Sequence, residues 1–264
     1  MNNSNKIINL INIEKYDIFN ANAYDRCLEL YNLCKTYNTH IPSLFTSDDF
    51  CFVTDRPFIY IAKYKTTVVG CAMLCMYGDE SERDLCIYVH PKYRRKKIAT
   101  ALLDVIYQDY DTICLVSNIS PKNVEAMAFV FENDFEYESC EYKMSLDLTK
   151  MTNRFSDSLD KSNLSIDKII EIDDICYLLK DGNDRIGSLN IFTEAETCVI
   201  HDVYIYEQYR NNGYATYLVE HVTDELKNRY SKVILHVTKE NTPAFRLYKK
   251  MGFVVDDEVN IYVL

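Results

Sequence analysis

An internal repeat is the feature of this sequence that most constrains its fold. Six residues recur 116 positions later, because Tyr88, Tyr93, Arg94, Ala99, Thr100 and Leu102 match Tyr204, Tyr209, Arg210, Ala215, Thr216 and Leu218. A second set recurs at an offset of 118, where Asn123, Ala126 and Phe135 match Asn241, Ala244 and Phe253. A repeat of fixed period indicates one structural unit used twice. A chain of 264 residues is long enough for two small domains that each bury a core.

Hydrophobic periodicity predicts the same order of elements in both halves. In the first half it predicts helices over 23–37, 98–110 and 121–131 and strands over 58–64, 68–77, 85–89, 112–117 and 136–148. The helix over 121–131 is expected to open at Pro121, since proline favours a first helical position. In the second half it predicts helices over 212–230 and 243–251 and strands over 166–172, 175–180, 185–193, 197–206, 232–238 and 253–264.

These elements predict an α/β (α+β) fold class with two tandem domains. The first domain is expected over residues 1–148 and the second over 163–264, with a polar linker over 149–162. The second domain has little room for a helix before its first strand, so we expect one wall of it to be missing. The first domain or a second copy of the chain could cover that opening, which leaves both a monomer and a homodimer open.

Composition and charge argue against several classes of protein. With 48% hydrophobic and 26% charged residues the chain is typical of folded proteins, and no apolar run is long enough to span a membrane. The net charge of −11 makes nucleic acid and anionic membranes poor partners. It favours a cationic substrate, although an acidic surface that keeps the protein soluble explains the charge equally well.

The N-terminus and the cysteines indicate a cytoplasmic protein. The first residues lack the charged, apolar and small-residue regions of a secretory signal. The ten cysteines are scattered through apolar segments without a C-x-x-C pair, so we expect buried, reduced thiols and no metal site.

The segment Val203–Val219 has the pattern of an anion site. A short apolar strand is followed by a polar turn with Gly213 and then by an amphipathic helix. The first N–H groups of a helix have no partner within the helix and carry the positive end of its dipole, so they suit a phosphate. A nucleotide loop of the Walker type is excluded because no Gly-Lys-Ser/Thr follows.

Two motifs of the second half resemble those of the GNAT superfamily of N-acetyltransferases. Arg210-Asn211-Asn212-Gly213-Tyr214-Ala215 fits the loop [Gln/Arg]-x-x-Gly-x-[Gly/Ala] of that superfamily. The stretch Asn241–Phe253 is similar to its second signature, an Asn, an Ala and a Tyr ahead of a closing Gly-Phe. The resemblance implies that each domain is a mixed, mostly antiparallel sheet with a splayed central strand pair flanked by helices.

The resemblance also implies acetyl-CoA as co-substrate and an amine as acetyl acceptor. The expected cofactor-binding residues are Val203 and Ile205, through their main chain beside the pantetheine, then Arg210, Asn211, Asn212, Gly213, Tyr214 and Ala215 around the pyrophosphate, and Asn241 on the other side of the pantetheine. Arg246 is expected at the 3′-phosphate, although a cation late in a helix also complements the helix dipole.

Two residues are expected to carry the chemistry. His201 is the candidate base, since strand alternation would place its side chain on the face of Val203 and Ile205. Tyr248 occupies the position of the family's general acid and could protonate the leaving thiolate. Each has a simpler alternative, because a strand histidine often only satisfies a backbone group and a helix tyrosine often only packs.

The first half departs from the motifs at three positions. Lys97 replaces the loop glycine, Val130 stands at the position of Tyr248, and Asp134 replaces the closing glycine. We expected the Lys97 side chain to crowd the approach of a pyrophosphate, so this half should have lost catalysis and tight cofactor binding. The predicted function is therefore an N-acetyltransferase with a scaffolding first domain that contributes to the acceptor-site wall. The alternative is a non-catalytic module that binds CoA or acyl-CoA.

Overall fold

The computed structural model describes residues 8–17, 20–45, 58–75, 81–110, 112–151, 159–170, 174–194 and 197–264. Its contacts divide the chain into two compact units. The first unit comprises Met1–Ser139 together with Val259–Leu264, and the second unit comprises Cys140–Glu258.

The first half of the chain alternates strands and helices in the predicted order. Its elements are β1 (Ile11–Tyr16), α1 (Ala21–Tyr37), β2 (Ile59–Tyr64), β3 (Thr67–Cys75), β4 (Glu82–Val89), α2 (Ile98–Asp109), β5 (Cys114–Ile119), α3 (Val124–Glu132) and β6 (Glu136–Asp147). Strand β1 was not predicted. The part of the predicted strand 68–77 beyond Cys75 lies outside the described residues.

The second half repeats this order without a counterpart of α1. Its elements are β7 (Leu164–Ile170), β8 (Ile175–Asp181), β9 (Asp184–Glu194), β10 (Thr197–Ile205), α4 (Tyr214–Leu226), β11 (Lys232–Thr238), α5 (Thr242–Lys250) and β12 (Val254–Val263). No described helix precedes β8, in agreement with the expected missing wall. Within the described residues no helix is long and apolar enough to cross a membrane.

Asparagine caps explain where three helices begin. Asn20 accepts a hydrogen bond from the Ala23 N–H at the start of α1, at 3.0 Å. Asn123 and Asn241 do the same for α3 and α5, at 3.2 and 3.3 Å, which satisfies one otherwise unpaired N–H at each helix end. The prediction that Pro121 opens a helix was wrong, because the cap at Asn123 places the first helical residue at Val124.

Each unit has the predicted mixed sheet, mostly antiparallel with one short parallel pair. In the first unit β4 pairs with β5 only over Glu82–Asp84. In the second unit β10 pairs with β11 only over Thr197–Ile200. The pairing stops while β4 and β10 continue, so each sheet opens between its parallel strands. The α/β class with a splayed central pair is confirmed.

The last strand of each half pairs within the unit of the other half. Asn260–Val263 of β12 pairs with β5 in the first unit, and Glu141–Asp147 of β6 pairs with β11 in the second unit. The predicted ranges 1–148 and 163–264 assign each of these strands to its own half. The division differs because strand pairing is non-local, and periodicity identifies a strand without identifying its partner.

Helices cover both faces of the first sheet. Residues 69–75 of β3 are all buried. On one face, α2 packs so closely that an added Cβ at Gly70 would lie 2.8 Å from Ile98. On the other, α1 contributes its buried residues Ala23, Cys27, Leu30 and Cys34.

One face of the second sheet is less covered. On β9 the buried Leu189 and Ile191 alternate with Ser188, Asn190 and Phe192, which are partly or fully exposed. The buried set belongs to the core that includes Leu218, Val219 and Val222 of α4. The other set therefore marks a sheet face that remains accessible to solvent.

Candidate active site

The loop ahead of α4 has the backbone of an anion-binding turn. Asn211 and Gly213 adopt left-handed conformations with φ of 64° and 86°. No side chain caps α4 at Gly213, so the first N–H groups of the helix are free of such a partner and can meet an anion. Residues 210–213 are exposed.

Two side chains predicted at the pyrophosphate brace this loop from within. Arg210 Nε donates to the Ile205 carbonyl at 3.0 Å. Asn212 Nδ2 donates to the carbonyls of Tyr209 and Arg210 at 3.2 and 3.1 Å. These bonds fix the turn, so the groups left for an anion are the backbone N–H groups of 211–215.

A β-bulge interrupts β10 where its pairing with β11 has already ended. The register against β9 shifts between His201 and Tyr204, and Asp202 adopts a positive φ of 49°. Asp202 and Val203 have no partner residue on β9. The main chain of Val203 and Ile205, predicted to contact the cofactor, is therefore also without a partner strand on the β11 side.

Glycine is required opposite this bulge. Gly187 pairs with Ile205, and a Cβ at Gly187 would lie 2.2 Å from the Tyr204 carbonyl oxygen. No side chain fits that gap, so Gly187 permits the close approach of β9 and β10.

His201 lies at the start of the bulge between two carboxylates. Its Nε2 is 3.2 Å from Asp174 Oδ1, and its Nδ1 is 3.0 Å from Asp202 Oδ2. The ring packs against Phe192 with centroids 5.5 Å apart. Sequence reasoning missed Asp174 as a partner and treated Asp202 as a solvated or structural carboxylate.

The predicted orientation of His201 was wrong. His201 pairs with Asn190 and Ile205 pairs with Gly187, three positions away on β9. An odd separation places the two side chains on opposite faces of the sheet. The bulge is the reason, because it inserts one residue into β10 and reverses the alternation beyond it.

A partly buried polar group adjoins this histidine. Asn190 donates to Asp202 Oδ2 at 3.4 Å, while its own Oδ1 is buried and has no hydrogen-bond partner among the described residues. A buried acceptor without a donor is unusual in a folded protein. It adds an acceptor to the exposed face that carries His201.

Tyr248 is buried in α5 with its ring against Phe253, the centroids being 5.6 Å apart. The residue is 5% exposed, and burial raises its pKa to about 12. The phenol therefore carries its proton at neutral pH and can act as a donor.

The remaining predicted cofactor residues lie on α5. The Asn241 side chain caps the helix, and its repeat Asn123 caps α3, so capping alone explains why asparagine recurs. Arg246 lies on the exposed part of α5, and Lys249 and Lys250 follow in the last turn. Their contact with a cofactor remains a prediction.

The first unit builds the same loop without glycine. Arg95 and Lys97 adopt φ of 59° and 60°, at the positions of Asn211 and Gly213. Arg94 Nε donates to the Val89 carbonyl at 3.4 Å, as Arg210 does to Ile205. The left-handed conformation costs about 1–2 kcal/mol per residue, and the fold holds it nevertheless.

The expectation that Lys97 crowds this turn was wrong. An added Cβ at the equivalent Gly213 would meet nothing within 4 Å. A side chain at this position can therefore point away from the loop N–H groups. Backbone conformation rather than side-chain space favours glycine here.

The first unit lacks the groups that would perform chemistry. Strand β4 pairs with β3 without a register shift, so it has no bulge. Counted from the Gly70–Val89 pair, Cys86 takes the position of His201, and burial raises the pKa of this thiol to about 12. With Val130 at the position of Tyr248, this unit has neither the base nor the acid.

Comparison with solved structures shows the fold. A GCN5-related N-acetyltransferase from Sphaerobacter thermophilus aligns with a TM-score of 0.77 at 12% identity, over 96% of this chain and 95% of that chain. A tandem GNAT protein from the clavulanic acid biosynthesis pathway aligns with a TM-score of 0.72 at 12% identity, over 96% and 98%. A GNAT-family acetyltransferase from Colwellia psychrerythraea aligns with a TM-score of 0.58 at 13% identity, over 96% and 99%.

The sequence itself matches a family profile twice. No match to the chain was found among curated proteins. The profile described as the acetyltransferase (GNAT) family matches residues 24–130 and again 142–253. The two matches fall on the two repeats, and the chain therefore belongs to the acetyltransferase (GNAT) family as a protein with two tandem GNAT-type domains.

Proposed function

We propose that the second unit is an N-acetyltransferase that moves an acetyl group from acetyl-CoA to a primary amine by direct attack on the thioester. The observation that carries this proposal is the bulge in β10. It places His201 between two carboxylates beside an open strand and an uncapped helix start. The first unit keeps the loop and lacks the bulge, the histidine and the tyrosine.

The cofactor would bind along the opening between β10 and β11. The N–H groups of Asn211–Ala215 would hold the pyrophosphate, since a helix N-terminus favours negative charge. The unpaired main chain of Val203 and Ile205 would hold the pantetheine and the thioester. Asn241 would lie on the other side of the pantetheine, and Arg246 would meet the 3′-phosphate.

His201 would take the proton of the acceptor. An alkyl ammonium has a pKa of about 10.4 and attacks only as the neutral amine, so a base must remove a proton. Asp174 at Nε2 and Asp202 at Nδ1 would orient the ring and stabilise the imidazolium that forms. A carboxylate that orients a catalytic histidine does the same in other acyl transferases.

Bond making and breaking would follow around the bulge. The amine nitrogen attacks the thioester carbonyl, and a strand N–H near Ile205 stabilises the oxyanion. As the carbon–sulfur bond breaks, the Tyr248 phenol donates its proton toward the departing thiolate. The products are the amide and free CoA, and Tyr248 regains its proton from solvent.

The acceptor would bind on the accessible face of the second sheet. That face carries Asp174 and Asp202 with the rings of Phe192 and Tyr204, which are 38% and 46% exposed. Carboxylates and aromatic faces favour a cationic amine, in line with the net charge of −11. We assign no role to nucleic acid or membrane, place the protein in the cytoplasm, and give the first unit a supporting role, whether the chain is a monomer or a homodimer.

Release of free thiol from acetyl-CoA, measured across a panel of amines, tests this function. We expect turnover with at least one amine, and a loss of ten-fold or more in the variant His201→Gln. His221→Asn is the matched control, since it changes another partly exposed histidine of the same unit. Binding of acetyl-CoA without turnover of any acceptor would favour the non-catalytic module instead.

A further inference from the structure

The first unit contains a cavity that its supposed loss of function does not explain. The cavity measures about 760 Å³ and lies where β4 and β5 separate. That volume is within the range of small-molecule and cofactor sites, roughly 300–1,000 Å³. Residues of α1, β4, α2, β5 and α3 line it.

One end of this cavity is cationic. Arg94, Arg95 and Lys97 line it together with the first turn of α2, whose start has no side-chain cap. Arg94 and Arg95 reach only Glu125 and Glu132, at 3.5 and 3.6 Å. Such exposed pairs contribute little and yield easily to a stronger anion. A phosphate group suits this end, because it would meet three cations and the helix N–H groups together.

The other end is apolar and closed by α1. Ile41, Pro42, Leu85, Ile119 and Phe129 line it, with Cys34 of α1 behind them. The Tyr88 hydroxyl lies 2.9 Å from the Ser43 carbonyl, to which it donates, and this bond fixes the segment that carries Pro42. The second half has no described counterpart of α1. This apolar wall therefore belongs to the first unit alone and suits a tail longer than an acetyl group.

The lining offers no group that could use a bound thioester. Cys86 replaces the histidine of the second unit and Val130 replaces its tyrosine. The thiols of Cys34 and Cys86 lie in the wall, and burial raises the pKa of both, so neither is a thiolate at neutral pH. A ligand would be bound here and released unchanged.

We propose that this cavity is a non-catalytic site for a phosphate-bearing ligand with a long apolar acyl tail, represented by a medium- or long-chain acyl-CoA. The cationic end takes the phosphates and the closed apolar end takes the tail. Binding at this site is independent of acetyl transfer in the second unit.

Strand β12 gives this site a route to the proposed catalytic residues. Ser117 and Ile119 of β5 line the cavity and pair with Tyr262 and Asn260 of β12. At its other end β12 follows Phe253, whose N–H donates to the Tyr248 carbonyl at 3.0 Å. A ligand that orders β5 would steady this strand and the end of α5. This clause rests on the proposed function, and it predicts that occupancy raises turnover.

A matched pair of variants separates the two loops. Ala99→Asp and Ala215→Asp place a carboxylate at the second position of α2 and α4, 116 residues apart. An acidic side chain in the first turn stabilises a helix, so both variants should fold, while their charge repels a phosphate. Circular dichroism and thermal unfolding verify this first.

Isothermal titration of the full chain then uses decanoyl-CoA, CoA, decanoate and pyrophosphate as probes. In Ala215→Asp, we expect decanoyl-CoA to bind at least ten-fold tighter than CoA, and decanoate and pyrophosphate to bind far more weakly. Adding Ala99→Asp should abolish that binding. Equal binding of a decanoyl lysophosphatidic acid would support the same chemistry and identify a lipid as the source.

Two results would overturn the proposal. Loss of all acyl-CoA binding in Ala215→Asp alone would leave the first unit without a site, and equal affinity for decanoyl-CoA and CoA would exclude a tail pocket. For the coupling, decanoyl-CoA should raise turnover of acetyl-CoA at least two-fold in the wild type and not in Ala99→Asp. Absence of turnover with every amine would refute the proposed function while leaving the binding result intact.

Discussion

Replacing Tyr248 by phenylalanine separates a catalytic role from a packing role. The ring is buried against Phe253, and phenylalanine keeps that contact. The hydroxyl makes no hydrogen bond within the described part of the chain. Its removal therefore breaks nothing in the folded state and eliminates only the proposed proton donor.

The structure sets opposite expectations for stability and for rate. A paired hydroxyl contributes about 1 kcal/mol to the free energy of unfolding, whereas a buried and unpaired one is a cost. Tyr248→Phe should leave that free energy unchanged or raise it by up to about 1 kcal/mol. Loss of a general acid should lower turnover by roughly 10- to 100-fold, which corresponds to about 1.4–2.7 kcal/mol of activation free energy.

Chemical denaturation and thiol release, measured on the same preparation, give both quantities. The control is Tyr60→Phe in the first unit, where the buried hydroxyl donates to Asp109 Oδ2 at 2.9 Å. That variant should lose about 1–3 kcal/mol of stability and keep the turnover of the folded enzyme. If Tyr248→Phe instead destabilises the protein and turns over at the wild-type rate, Tyr248 is a structural residue.

Three other predictions follow from the second sheet and from β4. Asp174→Asn should lower turnover about ten-fold or more without changing acetyl-CoA affinity, because it removes a carboxylate that orients His201; equal turnover would exclude that role. Gly187→Ala should cost about 3 kcal/mol or more in denaturant unfolding, whereas Gly182→Ala, with a φ of 57° and open space around it, should cost only about 1 kcal/mol. Burial raises the pKa of Asp84 to about 6 from an ordinary 3.8, so the folded state binds more protons between those values and stability falls as pH rises from about 4 to about 6. Asp84→Asn should therefore stabilise the protein at pH 7.5 and not at pH 4, and an equal effect at both would contradict the assignment.

Local sequence predicted most elements because their signals are local. Helix α5 was expected over 243–251 and spans Thr242–Lys250, and β11 spans the predicted residues 232–238. Strand β1 was missed although Ile11 and Ile13 alternate with polar residues. That signal was available, and it was short.

Partners and kinks were beyond local sequence. The exchange of β6 and β12 depends on pairing between residues more than a hundred positions apart. The bulge in β10 depends on a left-handed Asp202 held by its neighbours, and no turn residue announces it. This single inserted residue made the predicted orientation of His201 wrong and concealed Asp174 as its partner.

The contrast between the two repeats is sharper in the structure than in the sequence. Gly213 seemed to identify the working copy, yet Lys97 adopts the same conformation and the loop survives. What the first unit has lost is the bulge, which fixes where a base can stand and leaves strand main chain free for a thioester. A copy that keeps a phosphate loop and a closed apolar cavity while losing its bulge retains the means to bind and not to react. Binding and chemistry therefore reside in separable parts of this fold, and the two repeats of one chain have kept different shares of them.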